Sequence, residues 1–245
     1  MARTTAGNAA MRKPRNADAS RADILRAATD EFAGRGLDGA RIDAIARRTR
    51  TTRAMIYYYF KSKEGLYRAV LEEAYRGIRE AEKSLDLAHL PAKEAVGALV
   101  SFTFDYYQAH PEFVALVVAE NQSGGRHIRK MQRIRRLNAS IVDTIAGVLE
   151  RGRSEGTLRP DIDPIELHMT IAALGWFEIA NRHTFGYLFK RNFAAPAVVG
   201  QDRERIIDVV WRYVAFRSSP TDRAQKVSTP GARTYRNALR KNPSR

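Results

Sequence analysis

The stretch Arg41 to Lys63, RIDAIARRTRTTRAMIYYYFKSK, concentrates side chains able to do chemistry. Arginine bonds guanine edges with two donors at once, and tyrosine hydroxyls bond phosphate. Arg53, Met55, Tyr57 and Tyr58 fall on the outer side of a short helix that Ile56 and Phe60 would anchor inside. That helix begins after Thr52, a good N-cap, so its first turn offers backbone N–H groups to a phosphate. Another short helix precedes it, near Arg41–Thr49, with Ile42, Ile45 and Ala46 inward. The join, Thr49-Arg50-Thr51, is as tight as a helix-turn-helix requires. A plain helical hairpin in a bundle has the same spacing. Spacing alone therefore leaves groove binding and simple packing as equals.

Catalytic constellations are missing from the sequence. It has no P-loop, no G-x-S-x-G and no H-E-x-x-H. Gly34-Arg35-Gly36-Leu37-Asp38-Gly39 spells G-x-G-x-x-G, but a dinucleotide site needs a strand before it, and here a helix precedes. The glycines suit a helix stop and a turn. His89, His110, His127, His168 and His183 include no pair at i, i+3 or i, i+4, the spacing that puts two metal ligands on one helix face. The chain has no cysteine, which excludes thiolate metal sites, disulfides and cysteine nucleophiles. Neither metal nor cofactor is expected. An acid/base pair such as Glu120 and His168 is the best an enzyme reading can offer. A nonspecific architectural DNA protein is the other alternative.

The elements that position these residues read as helices throughout. Ser20 looks like an N-cap, and Ile24, Leu25, Ala28 and Phe32 form the inner face of a first helix that Gly34 and Gly36 would stop. Ser62 caps a long fourth helix with the apolar stripe Leu66, Val70, Ala74, Ile78, Ala81, Leu85. Pro91 opens a fifth, His110-Pro111 breaks it, and an apolar helix Phe113–Glu120 follows. After a Gly124-Gly125 turn, a helix is expected from about Arg126 to Arg153, then one from Asp163-Pro164 to about Phe185. A loop with Pro196 and Gly200 would precede a last helix near Asp202–Phe216. With no convincing period-two strands, the fold class is all-α.

Charge divides the chain. The 245 residues carry a net +15, yet residues 64–217 hold 21 basic against 20 acidic groups. The excess lies in residues 1–63 and 218–245, the pattern of a nucleic-acid binder joined to a neutral body. The longest uncharged stretch within the apolar half, Leu167 to Phe177, is eleven residues, short of the roughly 20 a bilayer needs. Without a secretory signal, a cytoplasmic protein is expected.

Residues 20–70 resemble the DNA-binding domain of the TetR family of transcriptional regulators. The motifs are Ile45-Ala46, the cap Thr52, and Tyr57-Tyr58-Tyr59-Phe60-Lys61-Ser62-Lys63-Glu64 followed by Leu66. The resemblance places Thr52, Arg53 and Met55 at the start of a recognition helix and gives Tyr57 and Lys63 phosphate contacts. Tyr58 joins them on the outer side. Two positions depart from the family. Arg50 replaces a common glycine, at a cost of about 1 kcal/mol if the residue is left-handed. Arg41 replaces a Ser or Thr cap worth about 1 kcal/mol. Both arginines are candidate DNA contacts.

Further along, Pro111-Glu112-Phe113, Glu120-Asn121, Gly156-Thr157-Leu158-Arg159-Pro160-Asp161-Ile162-Asp163-Pro164 and Asn181-Arg182-His183-Thr184 are similar to the regulators grouped with the repressor of nicotinate degradation. The resemblance implies a ligand-responsive regulator, a repressor released from a palindromic operator by a small-molecule effector. It also implies a homodimer packed through the eighth and last helices. Two recognition helices about 34 Å apart would meet successive major grooves. Candidate effector contacts are Phe102, Tyr106, Glu120, Asn121, His168, Trp176, Phe177 and Asn181. The expected organisation is a disordered basic arm (1–19), a three-helix helix-turn-helix domain (20–65), a helical effector-binding and dimerisation domain (66–217) and a disordered basic tail (218–245).

Overall fold

A computed structural model describes residues 17–216 of the chain. The two basic ends lie outside these residues, apart from residues 17–19, which are helical. Nine α-helices occur among the described residues: α1 (Ala17–Gly39), α2 (Ile42–Thr49), α3 (Arg53–Phe60), α4 (Lys63–Glu82), α5 (Ala92–Ala109), α6 (Pro111–Gln122), α7 (Gln132–Ser154), α8 (Pro164–Leu188) and α9 (Pro196–Val214). Short 3-10 turns occupy Lys83–Leu85 and Ile128–Lys130. The all-α expectation holds.

Several boundaries differ from those read in the sequence. Ser20 is not a cap, because α1 already begins by Ala17. Gly34 stays helical, and only Gly36 breaks the helix, at φ 64° and ψ 177°. A helical glycine costs about 1 kcal/mol, and burying Phe32 with Leu37 packed on the same core outweighs that. The seventh helix starts at Gln132, later than Arg126, because a separate 3-10 turn fills the gap. The expected loop at Pro196 and Gly200 is the first turn of α9, since proline at the start of a helix forfeits no needed N–H.

Apolar side chains gather in three clusters. The first joins α1 to α4 through Ile24, Phe32, Ile45, Ile56, Phe60 and Leu66, and takes in Leu116 of α6 and Ile134 of α7. The second lies among α5, α7, α8 and α9, around Leu99, Phe104, Leu149, Ile171, Ile206 and Val210. The third links α4, α5, α6 and α8 through Ile78, Tyr107, Phe113, Val114 and Ile179. Each fully buried Leu, Ile or Phe contributes about 1.5–3 kcal/mol. The first cluster makes the α1–α3 head rigid, and α4 carries it into the body.

Candidate nucleic-acid interface and internal polar cluster

The head is built around two capped junctions. Arg41 occupies the N-cap of α2 and makes no side-chain capping bond. Its backbone N–H donates instead to Glu31 Oε1 of α1 at 3.0 Å. A carboxylate from another helix thus meets the backbone N–H of the cap residue itself, as the glutamate of a capping box does, while the bond a Ser or Thr side chain would make is absent and Arg41 stays exposed. At the other end of α2, Arg50 N–H reaches the Arg47 carbonyl at 3.3 Å and Thr51 N–H the Ala46 carbonyl at 3.1 Å. That pair of bonds is a Schellman closure, which wants a left-handed residue. Arg50 supplies it at φ 51°, ψ 36°. The strain holds an exposed guanidinium on the turn.

Thr52 caps α3 as expected, its Oγ1 accepting from Met55 N–H at 3.2 Å. Ile56 and Phe60 are buried, while Met55 and Tyr57 are 40% and Tyr58 68% exposed. Arg53 is exposed but engaged: its Nε lies 3.0 Å from Asp43 Oδ1, bracing α3 against α2. Lys63 Nζ donates to the Asp38 carbonyl at 3.1 Å, pinning the start of α4 to the end of α1. Sequence reasoning passed over three further exposed cations, Arg47, Arg48 and Lys61. Arg48 pairs with Asp30 at 2.5 Å. Lys61 donates to the Tyr58 carbonyl at 3.0 Å and sits 5.5 Å over the Tyr58 ring. Their signal was available, since all three lie in the same basic stretch.

The eight candidate effector contacts separate in space. Phe102, Tyr106 and Trp176 pack on the third cluster, with the Phe102 and Tyr106 rings 5.7 Å apart. His168 is half-buried, and its pKa falls to about 4 through burial and the nearby Arg79 charge. Glu120 is buried and occupied by protein groups. It accepts from His127 N–H at 2.7 Å, from Ile128 N–H at 2.9 Å and faces His127 Nδ1 at 3.0 Å. Burial works to raise its pKa, but those bonds overcome it and hold the carboxyl below its ordinary value. Asn121 and Phe177 lie at the surface, Asn121 bonding the Val117 carbonyl at 2.9 Å. The Asn181 amide, half-exposed, bonds the Phe177 carbonyl at 2.8 Å. The structure therefore packs Phe102, Tyr106 and Trp176 on one cluster, engages Glu120 with His127 and Ile128, and leaves Asn121 and Phe177 at the surface.

Arg79 and Glu82, near the end of α4, were not singled out in the sequence. Arg79 is only 5% exposed, and its Nη1 lies 3.0 Å from Glu82 Oε2. Burial lowers the Arg79 pKa, and burial pushes Glu82 up to about 7 against the pull of Arg79. Tyr107 is pushed up to about 12, again chiefly by burial. An Arg and a Glu at i, i+3 ordinarily mark a solvent-facing side of a helix, which is why the sequence hid them. A cavity of about 340 Å³ lined by Arg79, Glu82, Leu87, Ser140, Ile141 and Thr144 opens beside the pair. Among the described residues no group of three His, Asp or Glu side chains converges as a metal site. No helix among them is long and apolar enough to cross a membrane. Ile165, Met169 and Phe177 stand exposed along α8, with Val209 exposed on α9 and Phe216 just beyond it.

Two family models match the chain. Residues 24–70 match bacterial regulatory proteins of the tetR family, and residues 91–210 match the tetracyclin repressor-like C-terminal domain. The HTH-type transcriptional repressor NicS of Pseudomonas putida is 39% identical over 172 residues, covering 70% of this chain and 81% of that protein. Among solved structures, a tetR-family regulatory protein from Rhodococcus RHA1 superposes with a TM-score of 0.64 at 18% identity, covering 81% of this chain and 98% of that one. FadR of Bacillus subtilis, solved in complex with stearoyl-CoA, superposes at 0.58 with 19% identity, covering 76% and 97%. These two likenesses concern the fold.

Proposed function

Because the chain belongs to the TetR family of bacterial regulatory proteins, we propose that it represses transcription from a palindromic operator as a homodimer and is released by a small-molecule effector. Proteins of this family are DNA-binding regulators and not enzymes, and they act as ligand-responsive repressors. For this chain, α3 is the recognition helix. Thr52, Arg53, Met55 and Tyr58 meet the groove, and Arg41, Arg50, Tyr57 and Lys63 meet phosphates. The observation that carries the reading is the exposure of Tyr57 and Tyr58, with Arg53 on the same helix and Arg50 on the turn before it, while Ile56, Phe60 and part of Tyr59 anchor that helix inside. A packed hairpin would bury those tyrosines. The α8–α9 apolar residues supply the dimer face, the helical body takes the effector, and the protein works in the cytoplasm.

The test is selection of genomic fragments by the purified chain, then footprinting. A two-fold symmetric protected site is expected, with half-sites about 34 Å apart. Eight phosphate contacts over the dimer would cost about 10³–10⁵ in affinity between 50 and 200 mM salt. Indifference to every duplex at low ionic strength overturns the proposal.

A further inference from the structure

We propose that Arg79 receives the carboxylate of a small organic acid inside the helical body. This assignment rests on the effector-responsive reading above and gives that effector a chemical class.

A guanidinium carries five N–H donors and no acceptor. Taking it out of water is costly unless those donors are met. Arg79 is nearly sealed, yet Nε and Nη1 have no hydrogen-bond acceptor. The Glu82 contact at 3.0 Å is an ion pair without hydrogen-bond alignment. Trp176 Nε1, packed on the neighbouring aromatic cluster, also lacks an acceptor. The remaining buried atom of this kind among the described residues, Arg151 Nε, belongs to a side chain already fixed by the Leu87 and Ala88 carbonyls at 2.7 and 3.0 Å. Every unmet group near the third cluster is thus a donor, and the missing partner is an acceptor.

Charge narrows the class. Arg79 is a cation, so the favoured acceptor is an anion. One anion, rather than a doubly charged phosphate, suits the surroundings. Burial and the Arg79 charge keep His168 neutral, leaving no second buried cation to face it. Lys83 and Asp86, also lining the cavity, are exposed and of opposite sign. Glu82 already offsets Arg79, but burial raises its pKa to about 7, so a proton can settle on it when a second carboxylate arrives. The cavity of about 340 Å³ beside Arg79 is the size of a small acid. Leu87, Ala88 and Ile141 give that cavity an apolar wall.

The test uses the full chain, with calorimetry and thermal melting. The probes are benzoate and hexanoate, their neutral amides benzamide and hexanamide, and inorganic phosphate. Removing Arg79 alone would strand Glu82, so the variant carries Arg79→Met and Glu82→Gln together, its fold checked by circular dichroism. A carboxylate is expected to raise the melting temperature saturably, with the amides and phosphate inert. The folded double variant should bind that carboxylate at least ~10-fold more weakly, since a charged hydrogen-bonded pair is lost. Amides binding as well as acids, phosphate alone binding, an unchanged double variant, or no response to either acid each overturns the assignment. Gel shifts with the selected operator separate the two readings. Intact operator binding without any carboxylate response removes the subsite and leaves the regulator. Failure to bind any operator removes the regulator reading on its own account.

Discussion

Arg53 serves two masters at the residue scale. Its Nε is 3.0 Å from Asp43, so a base edge must compete with a carboxylate already in place. Exposed ion pairs are worth at most about 1 kcal/mol, whereas a two-donor contact to guanine is worth about 1–3 kcal/mol. On the proposed reading, DNA wins that exchange. Arg53→Ala is therefore expected to weaken operator binding by about 1–3 kcal/mol and relax its preference. Asp43→Asn should leave binding equal or tighter. A gel-shift titration of both variants decides the matter, and an unaltered preference in Arg53→Ala would assign the side chain to bracing α3 alone. Glu120 yields a prediction of another kind. A carboxyl whose pKa in the fold lies below its ordinary value stabilises the fold above that value and ceases to as the pH falls through the lowered one. Melting temperature should accordingly decline on acidification, and Glu120→Gln should flatten that decline while melting lower at neutral pH. The bonds from His127 and Ile128 are the cause.

Elements were legible where a capping side chain stood at a boundary. Thr52 and Ser62 mark the starts of α3 and α4 in the sequence, because each hydroxyl meets a backbone N–H three residues on. Ser20, with the same side chain, misled: a hydroxyl is tolerated inside a helix when the residues before it keep helical geometry, as Ala17 to Ala19 do. Gly34 and Gly200 misled for the converse reason, since tertiary burial on either side carries a helix through a glycine. Arg79 was hidden by pattern. Its burial comes from α5 and α7 packing against α4, which no local period records. One glycine reads differently in three dimensions. A Cβ on Gly65 would stand 2.0 Å from the Phe60 carbonyl oxygen. Gly65→Ala is expected to push α3 off α4 and destabilise the protein by about 1–3 kcal/mol, measurable as a lower denaturation midpoint. An unchanged midpoint would mean the junction yields freely.

The whole molecule leaves an apolar strip uncovered. Ile165, Met169 and Phe177 on α8, with Val209 on α9, are exposed in a single protomer. Exposed apolar surface rimmed by charge marks a protein contact, and Arg205, Asp208 and Arg212 provide the charged margin on α9. Met169→Glu combined with Phe177→Glu should yield a monomer by sedimentation and reduce operator affinity, because one head alone grips one half-site. A dimer persisting in the double variant would place the interface elsewhere.

The chain crosses from head to body more than once. Leu116 and Ile134, late in the sequence, lie in the same apolar cluster as Ile24 and Ile56, and the Tyr67 ring meets His127 edge-on at 5.1 Å. A cut after residue 65 would strip the head of the neighbours that complete its interior. The head is consequently less a clipped-on module than the near end of a single solid, and any slackening of α6 or α7 loosens the interior that seats α3, the helix proposed to read DNA.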